Sequence, residues 1–102
     1  MLIDFSAPIL DPNGKPVAHE EGNWTLGKAA ATALFNDLPA EREHPLDGEN
    51  KRKNGDLGLA ITSAEGPLDL TVEQVANLKV RIGAIHNALF VSRSFALLDP
   101  RV

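Results

Sequence analysis

Apolar side chains recur every three or four positions through the second half of the chain and alternate only briefly near its start. That pattern predicts helices packed on a small amount of sheet. The clearest element opens at Thr71. Thr71-Val72-Glu73-Gln74 fits a capping box, in which the Thr71 hydroxyl takes the Gln74 amide and the Gln74 side chain returns to the Thr71 amide. Leu70 and Val75 occupy the two positions of a hydrophobic staple. A helix is therefore predicted over 71–86, with Val72, Val75, Leu78, Ile82 and Ile85 as its buried stripe. Glu73, Asn77, Lys79 and Arg81 would face water. The stripe loses phase at His86-Asn87, so Asn87 is expected to cap a separate last helix over 87–98, closed by Pro100.

Earlier elements follow from the same reasoning. Leu2, Ile3, Phe5, Ile9 and Leu10 precede Asp11-Pro12-Asn13-Gly14, and Val17 follows it, which predicts a β-hairpin over 1–18. Pro12 presets φ for a turn, Asp11 can accept from the turn's amides, and Gly14 supplies a left-handed residue. Pro8 and Pro16 cannot donate to a ladder and mark edge strands. His19 to Asn23 reads as a polar loop. Thr25 then caps a helix over 25–38 whose Leu26, Ala29, Ala30, Ala33 and Leu34 share one face; Leu38-Pro39 ends it. Leu57, Ala60, Ile61 and Ala64 keep helical spacing, predicting a helix over 51–64 whose glycine-containing first half is mobile. Leu68 to Leu70 is a short candidate third strand for the hairpin. The expected fold class is α+β: one domain over 1–102, with an N-terminal β-hairpin or small three-stranded sheet packed against three to four α-helices.

Composition narrows the functional classes. The 102 residues include no Cys, which removes disulfides, zinc–thiolate sites and thiol nucleophiles, and favours a reducing setting. A net charge of −4 argues against a broad nucleic-acid-binding surface. Met1-Leu2-Ile3-Asp4 lacks the basic start of a signal peptide, and no apolar run approaches membrane-spanning length, so a cytoplasmic protein is expected.

Candidate chemistry is sparse. His19, His44 and His86 lack a second ligand at helical spacing and read as solvated or packing residues. The Asp11 turn lacks the further oxygen ligands of a calcium loop, and Gly55-Asp56-Leu57-Gly58 lacks the Lys-Ser/Thr of a phosphate loop. Ser63, Ser92 and Ser94 have no nucleophile-elbow context, and Glu20-Glu21 stands in an exposed loop. No catalytic residue, metal ligand or cofactor site is assigned. Lys51-Arg52-Lys53 is the one basic cluster and the weak nucleic-acid candidate, although the acids flanking it favour a solvated helix face. The last helix bears more apolar surface than one stripe hides. Leu89, Phe90, Phe95 and Leu97 are therefore the expected oligomer interface, together with Arg93, which would snorkel or reach a carboxylate such as Asp99 across it.

Three stretches carry a resemblance. They are Ile9 to Val17 with its Asp-Pro-Asn-Gly turn, Thr25-Leu26-Gly27 opening an Ala-rich helix, and Leu70 to Leu98 with Phe90-Val91-Ser92-Arg93 before Leu97-Leu98. In these the chain resembles small proteins of tailed bacteriophages and prophages, whereas its glycine-rich middle, Gly48 to Gly58, departs from their pattern. The resemblance implies a non-enzymatic protein acting through protein contacts, in virion assembly or as an accessory factor. It would be located in the host cytoplasm or the virion, and the apolar excess of Ala88 to Leu98 adds the expectation of a homo-oligomer. The alternative expectation is a small regulator of a nucleic-acid enzyme, or a nucleic-acid binder using Lys51 to Lys53, Lys79 and Arg81.

Overall fold

Asp11 organises the first turn. Its carbonyl accepts from the Gly14 amide at 3.0 Å, and its carboxylate accepts from the amides of Asn13 and Lys15, each at 2.9 Å. Gly14 has φ +80°, a conformation open to glycine at little cost. The computed structural model describes residues 1–99, so the expected helix stop at Pro100 lies outside the described residues.

Beyond the turn the chain departs from a simple hairpin. Ile9, Val17 and Trp24 form a closed ring of backbone hydrogen bonds. Val17 donates to Ile9, Ile9 to Trp24 and Trp24 to Val17, at 2.8–2.9 Å. Strands β2 (Ala18–His19) and β3 (Gly22–Asn23) pair antiparallel where a polar loop was expected. Their side chains are exposed or half-buried, so no alternation of apolar and polar residues announces them. Strand β1 (Leu2–Ile3) leaves this group and pairs antiparallel with β4 (Leu68–Asp69). The expected third strand therefore exists, but as half of a separate two-stranded sheet. The Asp4–Ala7 turn, tied by the Ser6 amide and hydroxyl to the Asp4 carboxylate, separates β1 from Ile9.

Helix α1 (Leu26–Phe35) starts on the Thr25 cap and stops short of the expected residue 38, because Leu38 begins a new helix, α2 (Pro39–Glu43). Helix α3 (Gly48–Ser63) starts before the expected residue 51. The Asp47 carboxylate caps it at the Asn50 amide (2.8 Å), and Arg52 bridges Glu49 and Asp56 along its first turns. Its first half is thus continuous helix. At Gly58 a Cβ would lie 2.5 Å from the Phe35 ring, so glycine there lets α1 and α3 approach. Helix α4 (Val72–Ile85) carries the expected capping box, with Thr71 and Gln74 bonded reciprocally at 2.8 and 3.1 Å. Helix α5 (Ala88–Leu98) starts on the Asn87 cap.

The fold is α+β, as the pattern predicts: four helices of ten or more residues, the five-residue α2, and two small sheets. Helix α1 is central. Its alanines at 29, 30 and 33 are fully buried and let α3, α4 and α5 pack closely around it. The main core joins Leu26 and Leu34 to Ile61, Leu78, Ile82 and Leu98, while a second cluster gathers Ile9, Ala29 and Phe90 beneath Trp24. Two residues of α4 reverse their expected positions: Val72 is 73% exposed and Arg81 only 4% exposed.

Candidate functional site

Arg81 is buried because the structure supplies a partner for its charge and for most of its donors. Its Nε donates to the Ala33 carbonyl at 2.8 Å, and Nη2 donates to the Asn36 carbonyl at 2.8 Å. Both terminal nitrogens also donate to the Glu41 carboxylate, at 2.8 and 3.1 Å. Carbonyls at the end of α1 have no partner within their own helix, and the guanidinium fills that role. Glu41 in turn accepts from the Leu38 amide at 3.0 Å, so one ion pair holds α4, the end of α1 and the start of α2 together. The Arg81 hydrogen bonds keep the Glu41 carboxyl below the usual glutamate range, against the opposing effect of burial. Sequence spacing alone places Arg81 toward water, because its partners lie 40 to 48 residues away in the chain.

That clamp forms one side of a groove. Helices α3 and α4 both pack on α1 and diverge from each other, leaving a cleft of about 740 Å³ between them. Leu38 and Leu57 give it an apolar floor, and Lys53 and Ala60 of α3 face Glu73 and Val80 of α4. Asn77 of α4 donates to the Asn54 carboxamide of α3 at 2.9 Å across the cleft. Asn54 is only 9% exposed, and its own Nδ2 has no hydrogen-bond partner among the described residues; nor does the Asn77 Oδ1. Neither atom is buried, since Ser94 Oγ is the one buried side-chain polar atom without a partner among the described residues, and both remain open to water.

The outer face of α4 continues this surface. Val72, Ala76, Val80, Gly83 and Ala84 are all exposed, with Val80 at 66%. Helix α4 therefore has two apolar faces: Val75, Leu78 and Ile82 turn inward, and the residues at 72, 76, 80 and 84 turn outward. Sequence reasoning merged Val72 into the inner stripe and missed the second one. The i, i+4, i+8 run through Val72, Ala76 and Val80 is the signal that separates them.

Of the residues expected at an interface on α5, Phe90 is buried within the chain, and Leu89, Arg93, Phe95 and Leu97 are half-buried. Phe90 is 8% exposed, meets Trp24 edge-on (5.1 Å) and stacks on His86 (5.5 Å). Arg93 donates to the carbonyls of Leu10 (3.1 Å) and Asp11 (2.9 Å), holding the first turn rather than reaching Asp99. Asp99 lies 3.7 Å from Lys79. Phe95 and Leu97 pack partly buried against the core, and Leu89 is half-buried.

The basic candidates are dispersed. Arg52 is paired with Glu49 and Asp56, Lys79 lies between Asp99 and the Phe95 ring, and Arg81 is buried. Lys51 and Lys53 are exposed without an ion pair among the described residues. His19 and His86 both lie edge-on to Trp24, at 4.7 and 6.0 Å between ring centroids, whereas His44 is exposed. His86 contacts the Ala29 carbonyl through Nε2 at 2.8 Å. Among the described residues no three potential metal ligands come together. A second cavity of about 740 Å³ lies beside Phe5 and Phe35, and several of its polar side chains are bonded locally: Thr32 to Lys28, Thr62 to Leu59, Lys28 to Glu21 and Asn23.

The α3–α4 cleft adjoins the exposed apolar face of α4. Its charged pair, Glu41 and Arg81, is committed to holding the helices. No family model matches the chain, and neither do curated proteins or solved structures.

Proposed function

We propose that the protein is a non-enzymatic contact module of a tailed bacteriophage or prophage, acting in virion assembly or as an accessory factor in the host cytoplasm or the virion. It docks to protein through the outer face of α4 and the adjoining cleft. The observation that carries this reading is the second apolar face of α4, with Val72 and Val80 standing 73% and 66% exposed beside the cleft. Large apolar side chains grouped on one solvent face mark contact surfaces more often than catalytic ones. The phage assignment is supported by the resemblance of the Asp11 turn, the Ala-rich helix and the Leu70–Leu98 stretch. No helix among the described residues is long and apolar enough to cross a membrane. The nucleic-acid reading loses support, because Arg52, Lys79 and Arg81 are engaged within the chain.

A photo-crosslinking residue at position 80, compared with one at position 59, tests the docking surface in the producing cell. Leu59 is equally exposed at 62% but lies on α3 outside the residues lining the cleft, so it is a matched control. Protein adducts form at position 80 and not at 59 if the reading holds. Adducts at neither position, or equally at both, contradict it. Tail or capsid genes beside the coding sequence would support the phage role, and replication or repressor genes the regulatory alternative.

A further inference from the structure

We propose that His19 is a proton-operated latch on the β2–β3 hairpin: its neutral ring holds the turn closed and its protonated ring releases it. The Glu21 amide donates to His19 Nδ1 at 3.1 Å. A ring nitrogen accepts only through a lone pair, so this bond requires the neutral tautomer that carries its hydrogen on Nε2. A proton taken up from water puts a second hydrogen on Nδ1. Two N–H groups then point at each other, and the bond is lost. The other imidazole at Trp24 responds differently. His86 Nε2 meets the Ala29 carbonyl, which can only accept, so that nitrogen already carries a hydrogen and keeps its bond when the ring is charged. Of two histidines edge-on to the same Trp24, one therefore depends on its lone pair and the other does not.

The latch acts on a turn with few other ties. Strands β2 and β3 pair only as Ala18 with Asn23 and His19 with Gly22, and the residues from Glu20 to Asn23 are exposed. The chain reverses through Gly22 at φ +107°, a conformation that favours glycine. The charged groups around the ring come from several elements. Glu20 and Glu21 form the turn itself. Lys28 of α1 donates to the carbonyls of Glu21 and Asn23 at 3.1 and 2.9 Å, and Asp4 and Glu65 border the same cavity as His19. The carboxylates favour a charged ring and Lys28 opposes it, but none of them restores the lone pair that the Glu21 amide needs. Lys28 keeps its two carbonyls in either state, so release is confined to the turn. His19, Glu21 and Lys28 line the second cavity with Phe5 and Phe35, so the charge on one ring changes the border of that cavity.

Nuclear magnetic resonance between about pH 8 and 5, where histidine side chains titrate, tests the latch. At the alkaline end the ring nitrogens of His19 and His86 both report hydrogen on Nε2. As His19 becomes charged, the Glu21 amide proton moves upfield. The cross-strand contact between Ala18 and Asn23 weakens as the closed turn loses about fivefold in population, the equivalent of one hydrogen bond. The contact of His86 with Ala29 persists throughout. His19→Asn places a carboxamide oxygen where Nδ1 stands, and asparagine accepts from the amide two residues on without titrating in this range. In that variant the turn stays closed at every pH. A neutral His19 with its hydrogen on Nδ1, a Glu21 amide and an Ala18–Asn23 contact indifferent to pH, or the same loss in His19→Asn overturns the proposal.

Discussion

Replacing Arg81 with methionine lowers the stability of the folded chain by about 3–5 kcal/mol, the range for removing one partner of a buried ion pair. Methionine keeps much of the side-chain volume, so the loss is chiefly electrostatic. Glu41 is left as a largely buried carboxylate without its cation, and the carbonyls of Ala33 and Asn36 lose their donors. Urea unfolding measures the change, and a loss below about 1 kcal/mol would mean that the clamp is not a main support of the fold. Replacing Glu41 and Arg81 together by apolar residues recovers part of the loss, because no uncompensated charge then remains. The pair also predicts a pH dependence. Glu41 binds its proton less tightly in the folded chain than in the unfolded one, so its contribution is complete above the ordinary glutamate range and is lost as pH falls through the folded value. Glu41→Gln removes that contribution to the acid limb of the stability profile; an unchanged limb would contradict the assignment.

Phe90→Ala costs about 3–5 kcal/mol, the range for truncating a buried aromatic residue. The ring fills the second cluster between Ile9 and Ala29, edge-on to Trp24 and stacked on His86, so its removal leaves a cavity that rigid neighbours close poorly. The cost is the same at low and high protein concentration, because the ring is buried within one chain. A surface ring at a subunit contact would behave differently: its truncation would weaken association and lower stability only where partners are bound. Thermal unfolding at two protein concentrations separates the cases, and a concentration-dependent loss would return α5 to the role of interface.

Local signals in the sequence were reliable where the chemistry is itself local. The Thr71–Gln74 capping box, the Asn87 cap, the Asp11 turn and the Thr25 cap of α1 all involve groups within four residues of each other, and all are present. Failures came where distant segments meet. Arg93 was expected to snorkel or to reach a carboxylate such as Asp99, because the carbonyls it binds, on Leu10 and Asp11, are more than eighty positions away. The burial of Phe90 was not foreseen, because nothing near it in sequence announces the Ile9–Trp24 cluster that covers it. The candidate site was half legible. The outer residues of α4 are visible as a second helical stripe, but the cleft beside them exists only because α3 and α4 diverge on α1, and no residue spacing encodes that angle.

The proposed contact surface lies on α4, where Val72 and Val80 are exposed, and not on α5, where composition suggested it. Nuclear magnetic resonance of the labelled chain across a dilution series tests this most directly, by following each backbone amide as association is reduced. The amides of Ala76, Val80 and Ala84, with the side-chain amides of Asn54 and Asn77, move with concentration if α4 carries the contact. Those of Leu89 and Ala96 on α5 stay fixed. Shifts centred on α5 would contradict the assignment.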